Sequence, residues 1–517
     1  LRGAETVKTL EAGKLEDCNL VESVSQAYET DLAPREDKRP VLADQGQQGR
    51  REVEMEPLKL GDAKTRKVRD ALEGWARDAG PSMGLAAALL TLLHSLSLAA
   101  LAASPYFIVQ VVDEATGRGV PLVELKLPNE VRYYTDSAGR AAVLEPSFEG
   151  LQVYTMLRSH GYDHSHKTFW GPGVNLDIRS GATQTVKIRR SMIAERLYRL
   201  TGEGIYRDSH LAGLAVPLRQ PLLNGQVVGQ DTVGAAPYKG RIFWIWGDTT
   251  GPATHNFSVS AAVSDTPGQG GLDPSIGVDY RYFTEASGRV KAMLPLPRKG
   301  LVWIEGLFTV RDPQGQERLL ATYTRQQGLT PAEECGVARF NDERELFEPW
   351  LQTICRGSHV SSHPVLHREG DRQYWYLYPG LRIPNDWSAV QNQKSWEKRE
   401  VKPSPGMQAP ASIVWNEYRK RWIGLIQVFG EVFYAEADRP EGPWGKAISI
   451  VRHDHYNFYN VALHPFFDQE GGRIVYFEGT YTDAFTDAKE KTPRYDYNQI
   501  MHRLRLDDPR LKPARGQ

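Results

Sequence analysis

The chain has 517 residues, 40% hydrophobic and 25% charged, with 63 Lys and Arg against 64 Asp and Glu. Such a length holds two to four domains, or one repeat-built domain with an appendage, and the near-zero net charge excludes a wholly disordered chain and a field suited to nucleic acid. Three cysteines, Cys18, Cys335 and Cys355, exclude a disulfide scaffold and a Cys-built zinc ribbon, and leave one bridge, Cys335 to Cys355, available downstream of Met83.

Residues 1–82 are polar, rich in Glu, Asp, Lys, Arg and Gln, and show no sustained apolar period. A segment of that kind buries too little surface to offset its ordering entropy, so a disordered or non-mature region is expected. The leading Leu suggests a fragment or an upstream over-extension. From Gly84 to Ala103 there is no charged side chain, Leu and Ala dominate, and Ala100-Leu101-Ala102 suits a signal peptidase. Residues 83–104 are therefore expected to be a cleavable signal peptide, with a retained membrane anchor as the alternative because the length also spans a bilayer. A start at Met83 would leave the positive n-region missing. Either reading exports the remainder, which would be secreted, periplasmic or at the cell surface, and contact with a membrane follows only if 84–103 is retained.

Residues 105–191 alternate apolar and polar positions in short runs, FIVQVVD, VPLVELKLP, VRYYTDSAGRAAV and TQTVKIRR, with a turn about every ten residues. That texture predicts a small antiparallel β-sandwich. The phrase VVDEATGRGVPLVELKL followed by YTDSAGRAAV resembles the transthyretin-like, carboxypeptidase-regulatory-like accessory domains of secreted proteins, which implies a structural or carbohydrate-adjacent role without catalysis. His160, His164 and His166 fit exposed loop histidines better than a metal site.

From residue 192 to 517 aromatic-rich strand pairs follow one another: RIFWIWGDTT, LVWIEGLFTV, RLLATYTR, QYWYLYPG, ASIVWN with RWIGLIQVFG, EVFYAEA, and RIVYFEGTYT with QIMHRLRL. Helical periodicity is confined to short stretches near Ile193 to Leu200 and Arg344 to Leu351. Many strands without intervening helices exclude an α/β design, and near-continuous apolar strands fit sheets covered on both faces, as in stacked propeller blades. No G-x-S-x-G elbow, P-loop, H-E-x-x-H or strand-linked G-x-G-x-x-G occurs, so nucleotide and serine-hydrolase chemistry lose ground.

Three segments sharpen this. GQDTVGAAPYKGRIFWIWGDTT (Gly229 to Thr250) has the form of a first blade, and its Gly-Asp-Thr is similar to the bacterial propeller family that includes endo-D-arabinanases. EVFYAEADRPEGPW (Glu431 to Trp444) resembles a blade strand of five-bladed-propeller glycoside hydrolases, the arabinanases and xylosidases of family forty-three. YNVALHPFFDQEGGRIVYFEGTYT (Tyr459 to Thr482) contains the H-P-x-x-D turn that these proteins place before a strand. The resemblance covers roughly Gly225 to Leu511. It implies an all-β chain with a five-bladed β-propeller over 192–517, a carbohydrate substrate and no nucleic-acid partner. It requires no cofactor and leaves room for a structural calcium ion in the channel.

Glycosidic cleavage needs two carboxyl groups, one to protonate the leaving oxygen and one to act as base or nucleophile. Asp231 lies where the resemblance puts a first-blade catalytic Asp, and Asp248 follows a fully apolar strand in which a carboxylate is costly to bury; both compete with ordinary turn roles. For the opposing acid, Glu478 inside Tyr476-Phe477-Glu478-Gly479 is favoured, because burial would raise its pKa. Glu305 in Trp303-Ile304-Glu305-Gly306 has the same pattern, while Glu417 and Glu431 read as turn and edge residues. His363 and His464, each before Pro, together with Trp387 and Tyr459 in loops, are candidate sugar-binding residues. His453 and His455 would share a strand face without a third metal ligand, and Trp170, Trp396, Tyr456 and Tyr495 offer stacking or packing. The long segment from Arg382 to Gln408 is a candidate site-shaping loop. A binding propeller without turnover, or a structural surface protein, is the rival reading.

Overall fold

A computed structural model describes residues 104–515 apart from 166, 170, 254, 329 and 356–362. The expectations for residues 1–103, for His166 and for Trp170 lie outside the described residues. The described chain is all-β. Its first part, Phe107 to Arg190, forms two sheets, one holding Phe107–Asp113, Arg140–Val143, Tyr162–Asp163 and Thr183–Arg190, the other Glu124–Lys126, Arg132–Tyr134, Gln152–Arg158, Lys167–Thr168 and Gly171–Asp177. Val109, Val111, Leu125, Val153, Leu176 and Val186 share the core between them, as the alternation along each strand requires. One pairing departs from the expected antiparallel plan. Phe107–Asp113 and Thr183–Arg190 run parallel, because the last strand arrives from the opposite sheet and not through a hairpin with the first.

Five sheets follow, four of them four-stranded and the first five-stranded, here called blades I to V. Their first strands are Val233–Tyr238, Leu301–Arg311, Val365–Glu369, Ser412–Asn416 and Asn457–Leu463. First strands of successive blades touch, I with II, III with IV, IV with V and V with I, and a shared core of Phe308, Val310, Leu377 and Ile383 joins II to III. The sheets thus form a closed ring with the first strands innermost, the arrangement of a β-propeller. Stacked faces explain the apolar runs: the strand Ile474–Thr482 of blade V is buried at every position.

Closure is made by an early strand. Glu195–Arg199 pairs antiparallel with Asn498–Arg505, so the segment leaving the sandwich becomes the outermost strand of blade V. All five of its residues are buried, and Glu195 binds Arg503 at 2.6 Å. Sequence periodicity around Ile193 to Leu200 and Arg344 to Leu351 suggested helix, yet both hold strands, Glu195–Arg199 and Leu346–Thr353; tertiary pairing overrides weak local preference there. Cys335 and Cys355 are joined by a disulfide in blade II.

The closing strand sets a first test. Leu197 is wholly buried in the core between blades V and I, and Leu197→Ala should cost about 2–5 kcal/mol in chemical denaturation. Leu222→Ala, at a position 41% exposed, should stay within about 0.5 kcal/mol of the parent.

Candidate active site

Asp231 occupies a break in blade I, between Gly229–Gln230 and Val233–Tyr238, both of which pair with Arg241–Thr250. That middle strand is irregular around Trp246 and Asp248, a bulge of the kind that re-aims side chains. Asp231 Oδ1 accepts the backbone N–H of Asp248 at 2.9 Å, and the Asp231 N–H donates to the Asp248 carbonyl at 3.2 Å. Gly247 makes the approach feasible, since a Cβ there would lie 2.6 Å from Asp231 Oδ1.

The two carboxyls are gripped from outside blade I. The Tyr459 hydroxyl, from the innermost strand of blade V, donates to Asp231 Oδ2 at 2.7 Å. The Trp303 indole N–H, from the innermost strand of blade II, donates to Asp248 Oδ1 at 3.2 Å. Tyr497, just before the last strand of blade V, acts as a hydrogen-bonding partner to both and links them. Asn460 Nδ2 donates to Thr232 Oγ1 at the same place. Thr232, Asn460 and Tyr497 all have φ in the left-handed region, at +48°, +51° and +59°, a concentration of backbone strain typical of functional sites.

Two carboxylates so close cannot both ionise cheaply. Burial, then the charge of Asp248, pushes Asp231 up to about 7. Burial also raises Asp248, against the hydrogen bonds from Trp303 and Tyr497. Burial and the adjacent Asp231 hold the Tyr459 phenol far above its ordinary value, so it remains a donor. With both members raised, the two carboxyls titrate as a unit.

The structure redistributes the other candidates. Glu478 is fully buried and accepts from or donates to His464 Nε2 at 2.7 Å; both lie between blades V and I, with the Trp244 ring 5.2 Å from that of His464. Glu478 and His464 are thus enclosed, at 0% and 2% exposure, in place of the channel-facing positions expected for an acid and a sugar-binding residue. His363 enters blade III half-buried, and burial followed by nearby His464 lowers its pKa to about 3, leaving it neutral. Trp387 opens the short helix Trp387–Gln391 and packs on Trp350 at 4.6 Å in the core joining blades II and III, so packing replaces the expected sugar platform. Trp396 caps the carbonyls of Ala389 and Val390. Glu417 is an exposed turn residue paired with Lys420, and Glu431 accepts from Ser449 at a strand edge. His455 sits at φ +59° and binds exposed Asp487, off the face of His453. Among the described residues no group of three or more His, Cys, Asp and Glu is arranged to hold a metal ion, and His464 Nε2 is engaged by Glu478.

Glu305 remains. It is half-buried in the innermost strand of blade II, two residues after Trp303 and hence on the same strand face. A bulge follows it directly. Trp303, Tyr497, Asn460 and Thr232 were not singled out by sequence; only the neighbouring Asp231, Asp248 and Tyr459 were.

No protein-family model matches the chain, and no curated protein does. Solved structures match at low identity. An exo-β-1,3-galactanase from Phanerochaete chrysosporium is 12% identical with a TM-score of 0.35, over 62% of this chain and 66% of that one. An exo-1,5-α-L-arabinanase from a bovine ruminal metagenomic library is 11% identical with a TM-score of 0.33, over 54% and 94%. A GH43_1 enzyme from Xanthomonas citri is 10% identical with a TM-score of 0.33, over 54% and 87%.

Because the folded state holds Asp231 at about 7, above its ordinary carboxylate value, the stability linked to its protonation is complete below about pH 4 and is lost as pH rises through about 7. Asp231→Asn keeps the acceptor for the Asp248 N–H and removes the charge. It should stabilise the protein at pH 8 by on the order of 1–3 kcal/mol and have little effect at pH 5, measured by denaturation at the two pH values.

Proposed function

We propose that the chain is an exported glycoside hydrolase acting on a polysaccharide or oligosaccharide, arabinan-like chains among them. The observation that carries the reading is the coupled Asp231–Asp248 pair at the inner end of blade I, held by hydroxyl and indole donors from blades V and II. A pair of carboxyls in which Asp231 loses its proton near pH 7 supplies an ionised oxygen above that pH, which suits a base or nucleophile. Glu305, on the facing strand beside Trp303, takes the place of the acid that protonates the leaving oxygen. Trp303 and Tyr459 set the positions of the carboxyls, and their rings offer faces against which sugar C–H groups pack. The disulfide between Cys335 and Cys355 supports an oxidising, exported setting.

The test is release of reducing sugar by the full chain from arabinan, galactan and xylan. Asp231→Asn and Glu305→Gln should each lower the rate by about 10²-fold or more, with melting temperature kept or raised for Asp231→Asn. The base limb of kcat/KM should climb with pH through about 7 and move downward in Asp248→Asn, which removes the neighbouring charge. Full activity in both Asp231→Asn and Glu305→Gln would overturn the assignment, and glycan binding without product in the parent would favour a lectin.

A further inference from the structure

Between Ile474–Thr482 and Asn498–Arg505 the chain of blade V leaves its sheet in a loop that meets both the sandwich and the carboxyl pair. Tyr495 is its contact with the sandwich. The residue is 3% exposed, and its hydroxyl donates to the Thr135 carbonyl at 2.6 Å and accepts the Leu122 N–H at 3.1 Å. Its ring is held from the propeller, where the Arg199 guanidinium lies over it at 5.1 Å and donates to the carbonyls of Arg494 and Glu203. Two residues later Tyr497 meets Asp231 and Asp248. The backbone between the two tyrosines is pinned along its length. The Thr492 carbonyl accepts the N–H groups of Tyr495 at 3.2 Å and Asp496 at 3.0 Å. Asn498 Nδ2 reaches the carbonyls of Arg494 at 3.2 Å and Asp496 at 3.0 Å, and the Tyr497 carbonyl accepts the Gln230 N–H at 2.8 Å. Arg494 and Tyr497 both have φ in the left-handed region, at +64° and +59°, a conformation that persists only where the surroundings impose it.

A stiff link of this kind carries displacement from one end to the other. Hydrogen bonds weaken steeply as they lengthen and bend, so a small movement at Tyr495 is felt where Tyr497 meets the carboxyls. We infer that Tyr495 is a positioning residue for the carboxyl pair: anchored to the sandwich through its hydroxyl, it sets where Tyr497 meets Asp231 and Asp248. The sandwich then completes the site from a distance. That this serves catalysis rests on the glycoside hydrolase reading; the link from Leu122 and Thr135 to the carboxyls does not. The titratable groups facing Asp231 are Asp248 of its own blade and Tyr459 and Tyr497 of blade V, with Glu305 on the blade II strand that carries Trp303. Tyr459 rides on the innermost strand of blade V, whereas Tyr497 is carried by the loop. Because the Tyr497 hydrogen bond favours the ionised form of Asp231, loosening it raises the pH at which Asp231 loses its proton.

The readout is the stability difference between each protein and its Asp231→Asn counterpart, measured on the full chain by denaturation from about pH 4 to about pH 9. In the parent this difference should grow with pH and level off above about 7. Tyr497→Phe, which removes the hydroxyl itself, should move the levelling-off point upward by about 1 in pH, and Tyr495→Phe should move it the same way by about 0.5 or more. Tyr495→Phe keeps the ring beneath Arg199. Arg199→Lys keeps the cation and drops the planar fork over that ring, and should also raise the point. On any of arabinan, galactan and xylan that the parent cleaves, the base limb of kcat/KM should shift upward in parallel. An unchanged levelling-off point in folded Tyr495→Phe overturns the inference and leaves the hydrolase reading in place. If that variant does not fold, an unchanged point in Arg199→Lys overturns it instead. A shifted point in a protein whose parent cleaves no glycan upholds the link to the carboxyls and defeats the hydrolase reading.

Discussion

The pairing of Glu195–Arg199 with Asn498–Arg505 is the constraint on which the other features depend. It joins the beginning of the propeller to its end, and so fixes the position of blade V against blade I. Asn498 Nδ2 reaches the Val228 carbonyl, and the Gln230 N–H donates to the Tyr497 carbonyl at 2.8 Å. Tyr497 is the residue whose hydroxyl touches both carboxyls of the site. A ring that failed to close would therefore lose the grip on Asp231 as well as a blade, since the non-local pairing and the local chemistry use neighbouring residues. Gln230, Ser260, Gln499 and Thr480 form the buried hydrogen-bonded layer beneath this seam.

The carboxyl pair shows how blade geometry tunes an acid. Both aspartates belong to one blade, on adjacent segments, and do not face each other across the channel; their interaction comes from the break at Asp231 and the bulge at Asp248. Burial raises both, and the charge of Asp248 raises Asp231 further, while Tyr459, Tyr497 and Trp303 donate to the ionised form and limit the rise. The donors come from blades II and V, so the proton affinity of blade I is set by how its two neighbours stack on it. Glu478 illustrates the opposite outcome. With the same raised tendency from burial, and a His at hydrogen-bond distance, it lies in an aromatic layer where chemistry has no access.

Sequence made the all-β character legible because the apolar runs are long and the helical period is absent. Asp248 stood out because an acidic residue next to a run such as Ile242 to Trp246 is locally discordant, and Asp231 because the resemblance puts a first-blade Asp there. Tyr459 was visible as a loop aromatic. Glu478 was misassigned for a definable reason: a carboxylate in an apolar strand looks the same in sequence whether it faces a channel or the space between two blades, since both faces of a blade strand are covered. Trp303, Tyr497, Asn460 and Thr232 were illegible because their contribution is a register, set by bulges and left-handed residues that depend on the partner strand. Trp387 failed as a sugar platform because the segment from Arg382 to Gln408 contains a capped helical turn, with Asp386 accepting the Ala389 N–H, that folds its rings back onto blade II.

The sandwich is integral to the propeller's packing. Arg196 lies on the closing strand, fully buried, with no carboxylate partner among the described residues. Its guanidinium donates to the carbonyls of Pro121, Leu122 and His160 and to Ser159 Oγ, all from the sandwich, and lies over the Tyr162 ring at 5.2 Å. A buried cation whose compensation comes from another layer is stable only while that layer is docked. From the propeller side the Tyr495 hydroxyl donates to the Thr135 carbonyl and accepts the Leu122 N–H, and one apolar core runs from Val109 and Leu125 to Ile450, Phe477 and Leu504. Undocking would expose that core and strand Arg196 at once, so the two parts form one cooperative unit.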